Sequence, residues 1–382
     1  MDFDLDPAQQ VIADLTAQVL SASDTDAPGT QAPEIKTPGT TAPEADSSTV
    51  WKAMASAGLL SLALPGRLGG DDLDAMAILT VLTEVGRRAS AVPALATLAL
   101  GVLPLVRWGS QDLQDQVLPS VATGDLLLTA ALREPSDPHP HRPRTTLARD
   151  GTVTGVKVGV PQAQAAGRIL ATVTATASTA DVTGTPVVVL VDPAAGGVAL
   201  TRTPASGDAP EYTVEFVSAP AQVLGGQAAV IDLYRIALAA ACATGDGALA
   251  GALALTAAHV GTREQFGRPL AAFQAVAQQI ADVYLASRAL HLAAIAAAWQ
   301  VRSPHTIASG GTQAEPEDVD VAAYWLAGRA LEAVRTCHHL HGGLGLDVTY
   351  PLHRHSAILR DLARFVGGAE HLLTRLGGGR VS

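Results

Sequence analysis

The chain turns on residues 262–276: Thr262-Arg263-Glu264-Gln265-Phe266-Gly267-Arg268-Pro269-Leu270, then Phe273-Gln274-Ala275-Val276. Gly267 and Pro269 disfavour a continuous helix, so this stretch separates two long helical patterns. One helix is predicted upstream, from about Ala228 to Arg263. A second is predicted downstream, from about Phe273 to Val301. The upstream helix carries AAACATGDGALAGALALTAAHV, whose small residues recur at helical spacing and predict close helix packing. Cys242 within it reads as a small core residue. Beyond the second helix, SPHTIASGGTQAEP reads as a loop. A third helix is predicted to open at Pro316, with Glu317 and Asp318 in the first turn, where carboxylates meet the positive end of the helix dipole. It closes at the glycine stop Gly342-Gly343.

Toward the N-terminus the pattern changes at Leu224-Gly225-Gly226. Ahead of it lie strand signals: RILATVTATA from Arg168, the β-branched run PVVVLVDP ended by Pro193, and the alternating YTVEFV. Helical periodicity returns from Trp51 to Gly124, interrupted by the loop LPGRLGG, Leu64 to Gly70. A first helix is predicted over residues 6–22. Residues 23–49 are rich in Pro, Thr, Ala and Asp without apolar periodicity and read as a solvated linker. The expected organisation is an N-terminal helical domain (1–125, including that linker), a middle β domain (126–225) and a C-terminal four-helix-type bundle (226–382). The class is mainly α with a central, barrel-like β domain.

Bulk properties narrow the function. The 382 residues suffice for a large core, and 48% are hydrophobic. A formal net charge of −11 argues against a nucleic-acid surface, which needs clustered Lys and Arg. Cys242 and Cys337, far apart, imply no disulfide framework and suit a reducing cytoplasm. The acidic MDFDLDPAQQ start lacks the basic and apolar regions of a signal peptide, and no apolar stretch reads as a membrane span. Cys337-His338-His339-Leu340-His341 has metal-ligating residue types. His338 and His341 share a helix face, but no carboxylate cluster completes a set, so no metal is expected.

Several segments together resemble the acyl-CoA dehydrogenase family. Trp51-Lys52, Ala57-Gly58-Leu59-Leu60 and Leu64-Pro65…Leu68-Gly69-Gly70 are similar to its N-terminal helices and loop. Ala131-Leu132-Arg133-Glu134-Pro135 resembles the A-x-T-E-P entrance to its β domain, and Phe216…Val223-Leu224-Gly225 the exit. Arg263 to Val276 resembles the family's R-E-x-F-G segment. His341-Gly342-Gly343-Leu344-Gly345 with Tyr350-Pro351-Leu352…Arg354 resembles H-G-G-x-G…Y-P…R. The likeness covers the chain apart from the Pro/Thr linker.

The resemblance implies α,β-desaturation of an acyl-CoA thioester. A glutamate removes the α proton, and FAD at a subunit interface accepts the β hydrogen as hydride. It places Arg263 on the flavin diphosphate, with Gln265, Phe266, Gln274, His339, Leu340, Gly342 and Gly343 at the other contacts on the ADP side of the cofactor. His339 replaces the usual Gln. The flavin-ring side departs further. Arg133 stands for the Thr of T-E-P, and Ser136-Asp137-Pro138-His139-Pro140 replaces G-S-D. In the segment matching K-x-W-I-T-N, Gly159 replaces the aromatic and Pro161 the Thr. The family's usual base position is Val366, and its alternative position is Ala237; neither side chain accepts a proton. Glu370 matches a second, structural glutamate. No catalytic residue is therefore expected in this chain.

This pattern resembles the β-type subunits of actinobacterial α2β2 acyl-CoA dehydrogenases of sterol side-chain breakdown. It implies a homologous catalytic partner subunit, an acyl-CoA substrate and electron-transfer flavoprotein as electron acceptor. Two alternatives stay open: a self-sufficient homo-oligomeric dehydrogenase with a displaced base, and a flavin-free scaffold subunit.

Overall fold

The protein was analysed as a computed structural model, which describes residues 5–25, 44–176, 184–302 and 318–378. The predicted helix start at Pro316-Glu317 and residues 26–43 of the predicted linker lie outside them. Helices α1 (Pro7–Thr25) and α2 (Glu44–Ser56) reach into both ends of that linker. The second intrusion corrects the expectation for residues 44–49. Val50, Trp51 and Met54 are buried, and that anchorage supports helix through a preceding stretch without apolar periodicity.

Next come α3 (Ala75–Arg87), capped by the Asp74 carboxylate on the Met76 amide, and a π-helical stretch (Leu95–Val102). The latter runs into α4 (Leu103–Trp108), followed by α5 (Gln111–Ala122). The strands are β1 (Leu127–Ala131), β2 (Thr146–Leu147), β3 (Thr152–Pro161), β4 (Ala166–Ala175), β5 (Pro186–Val191), β6 (Val198–Thr203) and β7 (Glu211–Gly225). They pair in the order β1-β4-β2-β3-β7-β5. A further β4–β5 pairing closes the ring, and β6 lies beside β7. Alternate residues fill the barrel, Val153, Ile169, Val189, Val214 and Phe216 among them. β3 was not recognised as a strand, because Lys157 and glycines 155 and 159 interrupt its apolar alternation, and β1, β2 and β6 were likewise not singled out.

The C-terminal part holds α6 (Gln227–Thr262), α7 (Gln274–Gln300), α8 (Asp318–Trp325), a π-helical stretch (Leu326–Ala330), α9 (Leu331–His341), α10 (Leu352–Phe365) and α11 (Ala369–Gly378). α6 is the central post, packed on α3, α7, α9 and α10. Its small residues allow the close packing predicted for them. A Cβ on Gly247 would lie 1.8 Å from the Thr83 carbonyl oxygen of α3, so only glycine permits this crossing. Among the described residues, two helices are long and apolar enough to cross a membrane, α6 and α7, although the sequence reading found no such span. The apolar window of α6 is 89% buried in the core, whereas that of α7 is only 28% buried. Much of the first half of α7 thus faces outward, with Tyr284 and Leu285 exposed.

Candidate cofactor site

The turn between α6 and α7 is built as a small projecting hairpin. Arg263 ends α6 with an extended backbone, its amide donating to His259 O at 2.8 Å. Glu264-Gln265 then pairs antiparallel with Arg268-Pro269. The two residues at the tip, Phe266 (φ 54°) and Gly267 (φ 78°), are both left-handed, as a tight two-residue hairpin requires. A phenylalanine in that conformation costs about 1–3 kcal/mol. Its ring is nevertheless 92% exposed, touching Phe273 edge-on at 6.2 Å while Arg268 covers the Phe273 ring. Arg263, Gln265 and Gln274 are exposed beside it, and Arg263 makes no ion pair among the described residues. A strained, uncovered aromatic next to an unpaired guanidinium and two amides is a surface prepared for a ligand or another chain.

The C-terminus of α9 is brought to the same end of the bundle. The rings of His259 and His341 stack at 4.6 Å. His341 Nδ1–H donates to Cys337 O at 2.8 Å, and Tyr350 OH donates to His341 Nε2 at 3.0 Å. The end of α6 is thereby fixed to the segment 337–350. Burial, then the neighbouring His341 and Arg263, push His259 below its ordinary pKa. His339, Gly342 and Gly343 are exposed here, and Gly342 (φ 59°) turns the chain out of the helix. Leu340 is nearly buried and packs inward. Seven of the eight predicted residues are thus exposed, on two segments joined by the His259–His341 stack, and Leu340 is buried.

The ring-side segments also converge, on a cleft between the β barrel and α10. Arg133, Glu134, Val158, Arg364, Gly367 and Gly368 line it. Lys157 is fully buried and donates to Glu134 Oε1 (2.9 Å) and Thr172 Oγ1 (3.2 Å). Burial pushes Lys157 down to about 8, opposed by Glu134. Burial alone would raise the Glu134 pKa, but Lys157 and the Thr145 and Arg144 amides outweigh it and hold it low. Above them the Arg364 guanidinium binds both oxygens of Glu211 (2.7 and 3.1 Å) and Asp361 (2.8 Å). Asp361 in turn accepts from the Ser206 and Gly207 amides. Lys157 with Glu134, and Arg364 with Glu211 and Asp361, are engaged with one another, whereas Arg133 Nε and Nη1 are buried without a hydrogen-bond partner.

The two base positions are closed. Val366 and Ala237 are each 0% exposed, and both are hydrocarbon. Glu370 is exposed in the first turn of α11 and lies outside the cleft. The described residues contain no group of three or more His, Cys, Asp or Glu that could hold a metal.

Residues 214–380 match the acyl-CoA dehydrogenase C-terminal domain, and residues 30–125 the acyl-CoA dehydrogenase N-terminal domain. Acyl-CoA dehydrogenase FadE28 of Mycobacterium tuberculosis (strain ATCC 25618 / H37Rv) is 40% identical over 379 residues, 99% of this chain and 98% of its own. The chain belongs to the acyl-CoA dehydrogenase family. Members of that family are oxidoreductases, and FAD is its cofactor. Among solved structures, the Tcur3481-Tcur3483 steroid ACAD G363A variant is 31% identical with a TM-score of 0.81, over 98% of this chain and 97% of that one. The ChsE4-ChsE5 complex from Mycobacterium tuberculosis is 28% identical with a TM-score of 0.84, over 100% and 99%.

In this acyl-CoA dehydrogenase family chain, the α6–α7 surface fits the ADP side of FAD. A guanidinium and amides suit a diphosphate, an open aromatic face suits a planar base, and glycines allow close backbone approach. The cleft does not fit the flavin ring, because Gly159 offers no face and Pro161 no N–H. Sequence reasoning missed His259 and the cluster of Glu211, Arg364 and Asp361. Only a long-range contact distinguishes these from ordinary surface residues, and no local motif marks them.

Proposed function

We propose that this chain is the non-catalytic subunit of a hetero-oligomeric acyl-CoA dehydrogenase, α2β2 in form, that desaturates an acyl-CoA thioester between Cα and Cβ. It contributes Arg263, Gln265, Phe266, Gln274, His339, Leu340, Gly342 and Gly343 to the ADP side of a FAD site. A homologous partner supplies the ring side and the glutamate base. The observation that carries this reading is a contrast within one molecule. Val366 and Ala237 are sealed hydrocarbon, while Phe266 stands 92% exposed beside an unpaired Arg263. With no proton acceptor at either position, removal of the α proton falls to another chain. When bound, FAD supplies the acceptor for the hydride leaving Cβ.

The uncovered apolar side chains Tyr284 and Leu285 of α7, with Leu346 and Val348 beyond α9, support a subunit interface. The likeness to a steroid ACAD and to the ChsE4-ChsE5 complex supports a paired assembly and a steroid side-chain CoA as substrate. Electron-transfer flavoprotein is the proposed acceptor, and the free, buried Cys242 and Cys337 suit a cytoplasmic location. The same reading divides the chain into domains near residues 125 and 225.

Purifying the chain alone and co-expressed with its candidate partner tests the proposal through flavin absorbance. About one FAD per two chains, found only in the co-expressed sample, is expected for a site shared between unlike chains. Full flavin and turnover in the isolated chain would favour a self-sufficient enzyme with a displaced base. A complex in which neither chain of the pair needs this surface for its flavin would favour a scaffold.

A further inference from the structure

Gly342 and Gly343 stand on a loop that packs little against the rest of the chain. Gly342 leaves α9 with φ 59°, and a Cβ built on Gly343 would meet nothing within 4 Å among the described residues beyond its chain neighbours. From Gly342 to Thr349 only Gly345 is buried. The loop is nevertheless pinned by the histidines around it. His338 Nδ1 donates to Gly345 O at 2.8 Å, and His353 Nδ1 donates to Tyr350 O at 2.8 Å. The Tyr350 hydroxyl closes the loop back onto His341 at 3.0 Å, with the ring centroids 5.1 Å apart. His341 directly precedes Gly342 and stacks on His259 with 19° between the ring planes. His259 O in turn accepts the Arg263 amide at 2.8 Å. A continuous path thus runs from Tyr350 through His341 and His259 to Arg263. Tyr350, His341 and His259 are all outside the set assigned to the cofactor.

We infer that Tyr350 is a positioning residue for the cofactor: through His341 and His259 it holds Gly342-Gly343 in register with Arg263, so that one ADP group meets both. This rests on the proposed function and deepens it. A ligand that touches two segments binds best when their spacing is set beforehand, because ordering them on binding costs free energy. A glycine backbone has the most freedom to lose, so the loop that carries this pair benefits most from such a pin. The Tyr350 hydroxyl bonds to His341 and to no residue assigned to the cofactor. Its removal therefore alters the register while leaving the contact groups themselves intact.

The test uses the co-expressed complex stripped of flavin and titrated separately with FAD, ADP and riboflavin, which lacks the ADP group. Sedimentation velocity reports assembly in the same samples. Tyr350→Phe is expected to weaken FAD and ADP by the same factor, about threefold to tenfold for one hydrogen bond, and to leave riboflavin unchanged. His341→Phe, which keeps a stacked ring but loses both hydrogen bonds, is the second variant and should show the same selectivity. In an Arg263→Ala background, Tyr350→Phe should change FAD affinity by less than about twofold, because the contact that depends on register is already gone. Unchanged FAD affinity in an assembled Tyr350→Phe complex overturns the inference. An equal loss of riboflavin, or effects of Tyr350→Phe and Arg263→Ala that multiply, overturns it too. So does disassembly by both Tyr350→Phe and His341→Phe, since these residues would then serve the fold. All of these leave the proposed function standing if Arg263→Ala weakens FAD. Full FAD affinity in Arg263→Ala overturns both.

Discussion

The α6–α7 turn and the cleft around Gly159 treat their polar groups in opposite ways. At the turn, Arg263, Gln265 and Gln274 stay in solvent, and Phe266 is held exposed by a strained backbone. In the cleft, Lys157 closes on Glu134, and Arg364 on Glu211 and Asp361, with Arg133 packed over a glycine. A surface that binds must keep its donors available and accept the cost of their exposure or strain. A surface released from binding can join its groups to one another and become core. The free turn and the ion-paired Lys157–Glu134 and Arg364–Glu211 groups lie on opposite sides of that choice.

Substitutions can break this contrast. The largest effect is expected at the cleft. Lys157→Met leaves Glu134 buried without its cation and should lower stability by about 3–5 kcal/mol in chemical denaturation. The double change Lys157→Met/Glu134→Gln should recover part of it. An unchanged midpoint in the single variant would mean that the cleft is not core. At the turn, Arg263→Ala should leave stability within error but weaken FAD in the co-expressed complex about tenfold to a hundredfold, the worth of one or two charge-assisted hydrogen bonds. Retained flavin there would favour the scaffold alternative.

Acid sharpens the contrast next. Burial pushes His355 down to about 4 and His139 well below its ordinary value. Their unfolded forms take up a proton near pH 6.5, but the folded forms resist it. Stability is therefore complete above pH 6.5 and is lost as pH falls toward 4, at about 1.4 kcal/mol per pH unit for each fully titrating group. Melting temperatures between pH 7 and 5 read this, and His355→Leu should flatten the slope. The smallest effect belongs to His259→Ala, which removes the stack on His341. A loss of about 1 kcal/mol or less is expected, with FAD weakened severalfold in a fluorescence titration of the complex.

Much of the architecture was legible because it is written locally. The small-residue run of α6, the break at Gly267-Pro269, the glycine stop after His341 and the β-branched run at 186–191 each follow from backbone and packing preferences within a few residues. That Val366 and Ala237 offer no proton acceptor was legible too, since neither side chain can accept a proton in any fold. Sequence misread residues 44–49 as linker, because burial of Val50, Trp51 and Met54 outweighs local composition. It missed β3, because a buried Lys157 looks like a solvent-facing residue until Glu134, 23 residues away, is placed against it.

By itself, then, the sequence determined the order of elements, the family likeness and the hydrocarbon character of Val366 and Ala237. Only the tertiary structure decided that Arg133 fills the space above Gly159, that His259 joins His341 and Tyr350, and that the face of α7 and the Phe266 tip remain uncovered. Residue type sets which interactions a side chain can make. Which of them it makes depends on neighbours that folding brings together from distant parts of the chain.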